Sequence, residues 1–154
     1  MAWFRKVLQR ATDATGAKSA TAATAATSNE ATPGDEPKPS RTPQQRAGQA
    51  AEEAALRHLL SQGMRLEQRN FLCKGGEIDL IMWQDATLVF VEVRKRANGR
   101  FGGALASIGA QKQRRLILAA ELFLQRFRHA PPCRFDIIAI DDGKLSWVRD
   151  AIQA

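Results

Sequence analysis

Three acidic side chains interrupt two apolar segments near the middle of the chain. Glu77 and Asp79 lie in GEIDLI, and Glu92 lies in LVFVEV. Short apolar runs bounded by turn residues are typical of buried strands, in which an unpaired carboxylate is strongly disfavoured. Acids in such positions belong either to a structural ion-pair network or to a functional site.

The segment QDAT predicts a turn that joins the two apolar segments into a hairpin. In the register that this turn sets, Asp79 lies opposite Glu92 and Glu77 lies opposite Arg94. Directly opposed residues have Cβ atoms roughly 4.5–5.5 Å apart, and like charges at that separation destabilise the pair. The predicted pair of Asp79 and Glu92 therefore needs compensation.

Three kinds of compensation would satisfy these two acids. They would share a proton, pair with Arg94, or bind a divalent cation. Mg²⁺ and Mn²⁺ are hard ions that prefer carboxylate oxygens and keep several waters, so they leave room for a phosphate. We therefore predict a Mg²⁺ or Mn²⁺ site at Asp79 and Glu92. In the alternative interpretation, the two acids lie at exposed strand ends or pair with Arg94 and Arg96.

A third acid is expected on a neighbouring helix. The spacing from Arg46 to Gln62 is helical, and Gly63 follows as a stop signal. Glu52 shares the inward face of this helix, whereas Glu53 pairs with Arg57, four residues later, on the solvent side. The apolar stripe of the helix comprises Ala55, Leu56, Leu59 and Leu60.

The chain is basic, with 23 Lys and Arg against 16 Asp and Glu and a formal net charge of +7. From Val93 to Arg128 there are nine basic residues and one acid, a local net charge of +8. Such a concentration favours a phosphodiester backbone, although a solvated helix face explains part of it. Lys112 lies on the inner face of a second predicted helix, from about Ala110 to Phe127, and would reach a phosphate bound above Asp79 and Glu92. The candidate nucleic-acid-binding residues are Lys95, Arg96, Lys112, Arg114 and Arg115.

The hydrophobic pattern also predicts the elements that position these residues. MRLEQRN alternates like a half-exposed edge strand, and the two acid-bearing strands follow it. A helix is predicted from about Ala110 to Phe127, and RFDIIAI and KLSWV, joined by DDG, form a last hairpin. The predicted order is α-β-β-β-α-β-β, which places the chain in the α/β class.

Residues 1–45 differ in composition from the rest. Fifteen of the 22 residues from Ala11 to Thr32 are Ala or Thr, and four prolines follow up to Pro43. We predict a disordered extension over residues 1–45 and one domain over residues 46–154, because the extension lacks the large apolar side chains of a core. Its first segment, WFRKVLQR, would dock on a membrane surface or a partner as a short helix, or pack loosely as a frayed terminus.

The cysteines and the hydropathy exclude several classes of protein. Cys73 and Cys133 lie far apart and outside any CxxC or Cys/His spacing, which argues against a disulfide framework and a zinc site. No apolar run reaches the roughly 18 residues of a membrane span, and no apolar h-region of the kind found in signal peptides follows the first Met. We expect a cytoplasmic protein without stable membrane insertion.

The acids and their spacing resemble a known pattern. An acid followed after twelve residues by Glu-x-Lys is the pattern of the PD-(D/E)xK, or restriction-endonuclease-like, fold, which includes Holliday-junction resolvases; here it is Asp79, Glu92 and Arg94. More closely, the segment from Gly48 to Ile140 resembles the small bacterial YraN family. The matching parts are Gly48, Glu52, Ala55, Gly63, Asn70, GEIDLI, LVFVEV, Lys112 and RFD.

The resemblance implies a mixed β-sheet flanked by helices. It also implies that Glu52, Asp79 and Glu92 are metal ligands and catalytic residues, and that Arg94 is the basic residue of the site. The implied reaction is hydrolysis of a phosphodiester by metal-activated water, with the basic side chain stabilising the transition-state charge. The matching position in the family pattern is lysine, and arginine cannot give up a proton, so Lys112 is a candidate substitute.

Three functions follow as expectations. The first is a metal-dependent nuclease acting on DNA, with branched or damaged DNA as the candidate substrate. The second is a nucleic-acid-binding module that keeps the fold and cuts slowly or not at all; a weaker third is an interaction protein tethered through WFRKVLQR. We expect nucleic acid as the partner, with DNA favoured over RNA, and the sequence leaves open whether a homodimer forms.

Overall fold

The computed structural model describes residues 42–96 and 108–152, with the backbone alone at Arg96. These ranges contain two helices and five strands in the predicted order α-β-β-β-α-β-β. The elements are α1 (Pro43–Ser61), β1 (Arg65–Cys73), β2 (Gly76–Gln84), β3 (Thr87–Arg96), α2 (Ala110–Leu124), β4 (Cys133–Asp141) and β5 (Lys144–Val148). The predicted extension up to residue 41 and the basic residue Arg100 lie outside the described residues.

The five strands form one mixed sheet in the order β1-β2-β3-β4-β5. β3 and β4 are parallel, and the other neighbouring strands are antiparallel. α2 packs on one face with Ile81 and Phe90, and α1 packs on the other with Leu80 and Val91. Both faces of the central strands are therefore buried, which explains their continuous apolar runs. The predicted α/β fold with a helix-flanked mixed sheet is confirmed.

α1 begins at Pro43, three residues before the predicted start at Arg46. The Thr42 hydroxyl accepts a hydrogen bond from the Gln45 N–H (3.3 Å), and the Gln45 side chain accepts one from the Thr42 N–H (2.9 Å). This is a capping box, followed by a proline in the first turn, where a missing N–H costs nothing. The sequence interpretation grouped Pro43 with the prolines of the extension and so missed the cap.

The apolar stripe of α1 is confirmed at Ala55, Leu56 and Leu59, which are buried, and is wrong at Leu60, which is 46% exposed. The i+4 step from Leu56 to Leu60 rotates the side chain about 40° further from the buried face. None of the described helices has a stretch long and apolar enough to cross a membrane.

The hairpin of β2 and β3 has the predicted register over its closed end. Leu80 pairs with Val91, Ile81 with Phe90, Met82 with Val89 and Trp83 with Leu88. The ladder ends at Leu80, one residue before the predicted pairing of Asp79 with Glu92. Glu77 pairs with Leu72 of β1 and not, as predicted, with Arg94. The two strands separate here because the Val93 N–H donates to the Asp79 carboxylate (2.7 Å) instead of to a carbonyl of β2.

Side-chain alternation along β2 breaks at Asp79. Ile78 and Ile81 belong to the same core cluster on the α2 side, although a three-residue separation normally places two side chains on opposite faces. Leu80 lies between them in sequence and packs on the α1 side. Ile78 and Leu80 therefore lie on opposite faces of the sheet, where regular alternation would place them on the same face, because the strand is irregular at the acid.

β1 is irregular at the same level of the sheet. Asn70 lies between the paired residues Arg69–Leu80 and Phe71–Ile78, and so faces Asp79 across the two strands. Its φ is +48°, a left-handed conformation that asparagine adopts more readily than most residues. The irregularities of β1 and β2 coincide at the level of Asp79, where β2 also separates from β3.

A second buried carboxylate fixes the C-terminal hairpin. The Asp136 side chain on β4 is fully buried and accepts hydrogen bonds from the Arg134 guanidinium. The shortest of these joins Arg134 Nε to Asp136 Oδ1 at 2.9 Å. The Trp147 indole N–H (3.0 Å) and the Asp150 backbone N–H (3.0 Å) complete its shell. The Asp of the RFD motif therefore ties β5 and the residues after it to β4.

Two glycines allow the turn between β1 and β2 to touch α2. A Cβ at Gly75 would lie 2.6 Å from Leu118 Cγ, and a Cβ at Gly76 would lie 3.1 Å from the Arg115 carbonyl oxygen. This close approach holds the first half of α2 over the end of the sheet. The helix ends at Leu124, three residues before the predicted Phe127, whose N–H donates to the Leu124 carbonyl in a turn.

Candidate acidic site where β2 and β3 separate

Asp79 lies in the gap between the diverging strands. Its Oδ2 accepts the Val93 N–H at 2.7 Å, so the carboxylate occupies the position of the next ladder hydrogen bond. The side chain approaches β3 beside Glu92, as the hairpin register predicted, and its charge interacts with Glu92, Lys112 and Glu52. The sequence therefore predicted the neighbours of Asp79 correctly, although not its backbone contact.

Glu92 is 5% exposed and faces α2. Lys112 Nζ lies 3.0 Å from its Oε2, and Arg94 Nη1 lies 3.8 Å from its Oε1. β-strand alternation places Glu92 and Arg94 on one face of β3, which agrees with this contact. Lys112 contacts Glu92 from α2, and its predicted contact with a phosphate stays a prediction.

The positive groups do not fully compensate these two acids. Burial, with the nearby charge of Glu92, raises the pKa of Asp79 to about 7, although the Val93 hydrogen bond and Lys112 act in the opposite direction. Burial also raises the pKa of Glu92, and Lys112 and Arg94 again oppose the shift. The ionised forms of both carboxylates are therefore energetically unfavourable in this site, and an additional positive charge would stabilise them.

Glu52 and Glu53 differ as the helical spacing predicted. Glu53 forms an ion pair with Arg57 at 4.0 Å and one with Arg69 at 3.0 Å. Glu52 lies on the side of α1 that faces the acids, and its charge contributes to the raised pKa of Asp79. Within residues 42–96 and 108–152, no three His, Cys, Asp or Glu side chains are arranged as a preassembled metal-binding group. The site therefore rests on Asp79 and Glu92, with Glu52 as a neighbour.

The candidate nucleic-acid-binding residues fall into three groups. Lys112 contacts Glu92, as described above. Lys95, Arg114 and Arg115 are exposed, and strand alternation places Lys95 on the face opposite Glu92. Arg96 lies at the end of β3, and its side chain is outside the described part of the structure. Arg114 and Arg115 follow Lys112 on α2 and form an exposed pair of arginines.

Two local features of the site were missed by sequence reasoning. The Gly75-Gly76 turn positions α2, and hence Lys112, through contacts with Leu118 and Arg115. The left-handed Asn70 lies beside Asp79. Paired glycines are a signal of close backbone approach, but the helix that they approach is about 40 residues away in sequence.

The fold and the site together define a class of protein. A helix-flanked mixed sheet, with two acids meeting where neighbouring strands separate and a lysine against one of them, is the arrangement expected for the restriction-endonuclease-like class. Residues 51–140 match the family model described as "Uncharacterised protein family UPF0102", and the chain belongs to this family. The similarity to the YraN family is thereby confirmed.

Similarity to relatives over most of their length agrees with the family match. The "UPF0102 protein" of Janthinobacterium sp. (strain Marseille) is 58% identical over 114 residues, which cover 74% of this chain and 93% of the relative. That of Herminiimonas arsenicoxydans is 56% identical over 114 residues, covering 74% and 92%. That of Pseudomonas putida (strain F1) is 51% identical over 115 residues, covering 70% and 94%. These names state no activity, so function is inferred from the site.

Proposed function

We propose that the protein is a cytoplasmic, Mg²⁺- or Mn²⁺-dependent nuclease that hydrolyses phosphodiester bonds in DNA, with branched or damaged DNA as the candidate substrate. The observation that carries this proposal is the pair of buried acids, Asp79 and Glu92, whose pKa values are both raised beside Lys112. Perturbed acids of this kind cluster at functional sites.

A divalent cation suits the donors present. Asp79 and Glu92 offer carboxylate oxygens in a site where added positive charge would be stabilising, and Glu52 is the proposed third ligand. A bound Mg²⁺ or Mn²⁺ would supply an activated water and polarise the phosphoryl oxygen. Mg²⁺ retains waters and is often held by one or two protein carboxylates together with substrate phosphates, so Asp79 and Glu92 would form the core of the site and Glu52 would add to it.

The basic side chains would hold and stabilise the phosphate. Lys112, at 3.0 Å from Glu92, and Arg94, at 3.8 Å, are near enough to move from the carboxylate to a phosphate oxygen when substrate arrives. Each would then stabilise negative charge in the transition state. Arg114 and Arg115 would bind flanking phosphates without reading sequence.

A second candidate is a nucleic-acid-binding module with little or no cleavage. Two observations favour it: arginine replaces lysine at position 94, and Lys112 already forms an ion pair with Glu92. Arginine stabilises charge but cannot donate or accept a proton at neutral pH. This candidate shares the phosphate-binding surface of the first and differs only in the chemistry.

Cleavage assays separate the two candidates. Supercoiled plasmid, a four-way branched DNA and an RNA of the same sequence would be incubated with the protein in Mg²⁺ or Mn²⁺, and in EDTA. We expect metal-dependent cleavage of DNA that falls at least about 100-fold in Asp79→Asn and Glu92→Gln, because several kcal/mol of transition-state stabilisation would be lost. Glu53→Gln, next to Glu52 on the solvent side, is the matched control.

The nuclease proposal fails if metal produces no cleavage while Asp79→Asn and Glu92→Gln leave nucleic-acid affinity unchanged. Arg94→Lys tests the unusual basic residue directly. A large gain in cleavage rate would show that arginine limits the reaction, whereas a loss would assign the charge-stabilising role to arginine itself.

The binding surface is tested by salt dependence. The affinity for duplex DNA should fall steeply with salt, and the double variant Arg114→Ala with Arg115→Ala should reduce the slope of log K against log salt by about 2. Arg57→Ala, an exposed arginine on α1, should leave the slope unchanged. An affinity that does not depend on salt would contradict phosphate binding.

A further inference from the structure

A pocket of about 370 Å³ lies beside the acidic site, between the first half of α1 and β1. It is lined by Gln45, Gly48, Gln49, Glu52, Arg69 and Asn70. Its volume falls within the roughly 300–1,000 Å³ of small-molecule sites. All of its lining residues apart from one glycine are polar, so it was not formed as a gap in the apolar core.

The pocket exists because the inward face of α1 changes character along its length. Residues 45, 48, 49 and 52 follow the helical spacing i, i+3, i+4, i+7, and the same stripe continues into Ala55, Leu56 and Leu59. The second half of this stripe is buried against the sheet, whereas the first half lines the pocket. Polar side chains therefore occupy the inward stripe of the first two turns.

Gly48 is the second unusual feature of the pocket. Glycine in a helix interior is destabilising by roughly 0.5–1 kcal/mol relative to alanine. A Cβ built on Gly48 meets no atom within 4 Å, so nothing in the described structure requires a residue without a side chain there. A bare helix backbone facing a polar pocket is the arrangement expected where a ligand must approach closely.

The charges of the pocket disfavour a phosphate. Glu52 contributes a negative charge, and the Arg69 guanidinium forms an ion pair with Glu53 at 3.0 Å. The remaining lining groups include the side-chain amides of Gln49 and Asn70, which pair with the edges of nucleobases through donor and acceptor atoms together. An uncharged, planar, hydrogen-bonding group fits this set better than an anion does.

The pocket and the acidic site share a border. Glu52 lines the pocket and its charge also acts on Asp79, and Asn70 faces Asp79 across β1 and β2. We propose that this pocket binds an unpaired nucleobase adjacent to the phosphate held at Asp79 and Glu92, so that the substrate is DNA with an unstacked nucleotide. The inference rests on the proposed function and names the substrate feature that the same site selects. Proteins recognise unpaired bases in this way because their hydrogen-bonding edges are accessible.

Two substitutions remove the pocket without touching the acids. Gly48→Leu fills the pocket from α1, where there is space for the new side chain, and Asn70→Gly removes the amide at a position whose φ suits glycine. Ala50→Leu places the same leucine on an exposed position of α1 outside the pocket, and Gln44→Ala removes an exposed amide outside it. Both serve as matched controls.

Binding would be measured in EDTA, so that no probe is cut, by fluorescence anisotropy. The probes are a fluorescein-labelled duplex and the same duplex with one unpaired nucleotide. We expect the wild type to prefer the unpaired probe, and Gly48→Leu and Asn70→Gly to lose at least about 10-fold in affinity for it while keeping their affinity for the duplex. We expect both controls to bind as the wild type does, and all four variants to melt cooperatively.

The milder change Gly48→Ala gives an opposite pair of effects, since it should raise the melting temperature while weakening binding of the unpaired probe. The inference is overturned if the wild type binds both probes equally, or if Gly48→Leu and Asn70→Gly bind the unpaired probe like the wild type. Such results would leave phosphate binding and metal-dependent cleavage standing. Failure to bind either probe would instead overturn the proposed function itself.

Discussion

Two sites in the described part of the structure contain buried carboxylates, and these carboxylates are compensated in different ways. Asp136 receives hydrogen bonds from Arg134, from the Trp147 indole and from the Asp150 backbone, so both of its oxygens are satisfied within the fold. Asp79 and Glu92 share Lys112, a single backbone N–H and a more distant Arg94, and their pKa values are raised. Burial of an acid is therefore not in itself a functional signal. The informative difference is whether the fold supplies enough positive partners.

The largest effect on the free energy of unfolding is expected when the Asp136 carboxylate is removed. Asp136→Asn should lower the free energy of unfolding by about 3 kcal/mol, because it breaks the ion pair with Arg134 and disturbs the two hydrogen bonds from Trp147 and Asp150 in a buried network. Urea unfolding at pH 8 measures this. A change below about 1 kcal/mol would show that the two acidic sites do not differ as described.

Asp79→Asn should change the free energy of unfolding in the opposite direction in metal-free protein. At pH 8 the carboxylate is ionised in a site that raises its pKa to about 7, so the neutral amide removes an unfavourable charge. We expect a gain of about 1 kcal/mol in the free energy of unfolding, after allowing for the weaker hydrogen bond to the Val93 N–H. A loss of stability in EDTA would contradict the account of an under-compensated pair.

The pH dependence of the free energy of unfolding tests the same point. The pKa of Asp79 is about 7 in the folded chain and near 3.9 when unfolded, so the folded state holds this proton more tightly. Its contribution to stability is fully present below pH ~4 and is lost as the pH rises through about 7. The free energy of unfolding of the wild type, relative to that of Asp79→Asn, should therefore fall by up to about 1.4 kcal/mol per pH unit as the pH rises through that window. A flat difference between pH 5 and pH 8 would argue against the raised pKa.

The smallest effect is expected at an exposed acid with similar partners. Glu53 pairs with Arg57 and Arg69 on the surface of α1. Exposed ion pairs contribute about 0–1 kcal/mol, so Glu53→Gln should change the free energy of unfolding by no more than about 0.5 kcal/mol. A change as large as that of Asp136→Asn would mean that exposure does not separate these acids.

The sequence predicted those parts of the fold that depend on local patterns. Period-two and helical spacing defined the elements, and the short QDAT turn set the register of the hairpin from Gln84–Thr87 to Leu80–Val91. The helical spacing also separated Glu52 from Glu53. These predictions succeeded because each depends on residues that are close in the chain.

The remaining features depend on contacts between distant segments. The separation of β2 from β3 at Asp79 involves a hydrogen bond to Val93, and the left-handed Asn70 belongs to a third strand. Hydrophobic periodicity contains no information on either. The resemblance to a known fold implied only that the sheet is mixed, and it did not say that β3 and β4 are the parallel pair. The Thr42 capping box, by contrast, was readable from T-P-Q-Q and was overlooked.

The pocket was hidden for the same reason. Its walls come from α1 and from β1, and the sequence alone showed Gly48 only as a matching residue of a family pattern. Its polar character becomes meaningful once the apolar half of the same helical stripe is known to be buried.

Titration of metal-free protein with Mn²⁺, followed by isothermal calorimetry at pH 7.5, tests the central claim most directly. The account predicts that the wild type binds at least one ion per chain, that binding weakens at least about 10-fold in both Asp79→Asn and Glu92→Gln, and that Glu53→Gln binds like the wild type. Absence of Mn²⁺ binding by the wild type, or equal binding by all four proteins, would contradict it.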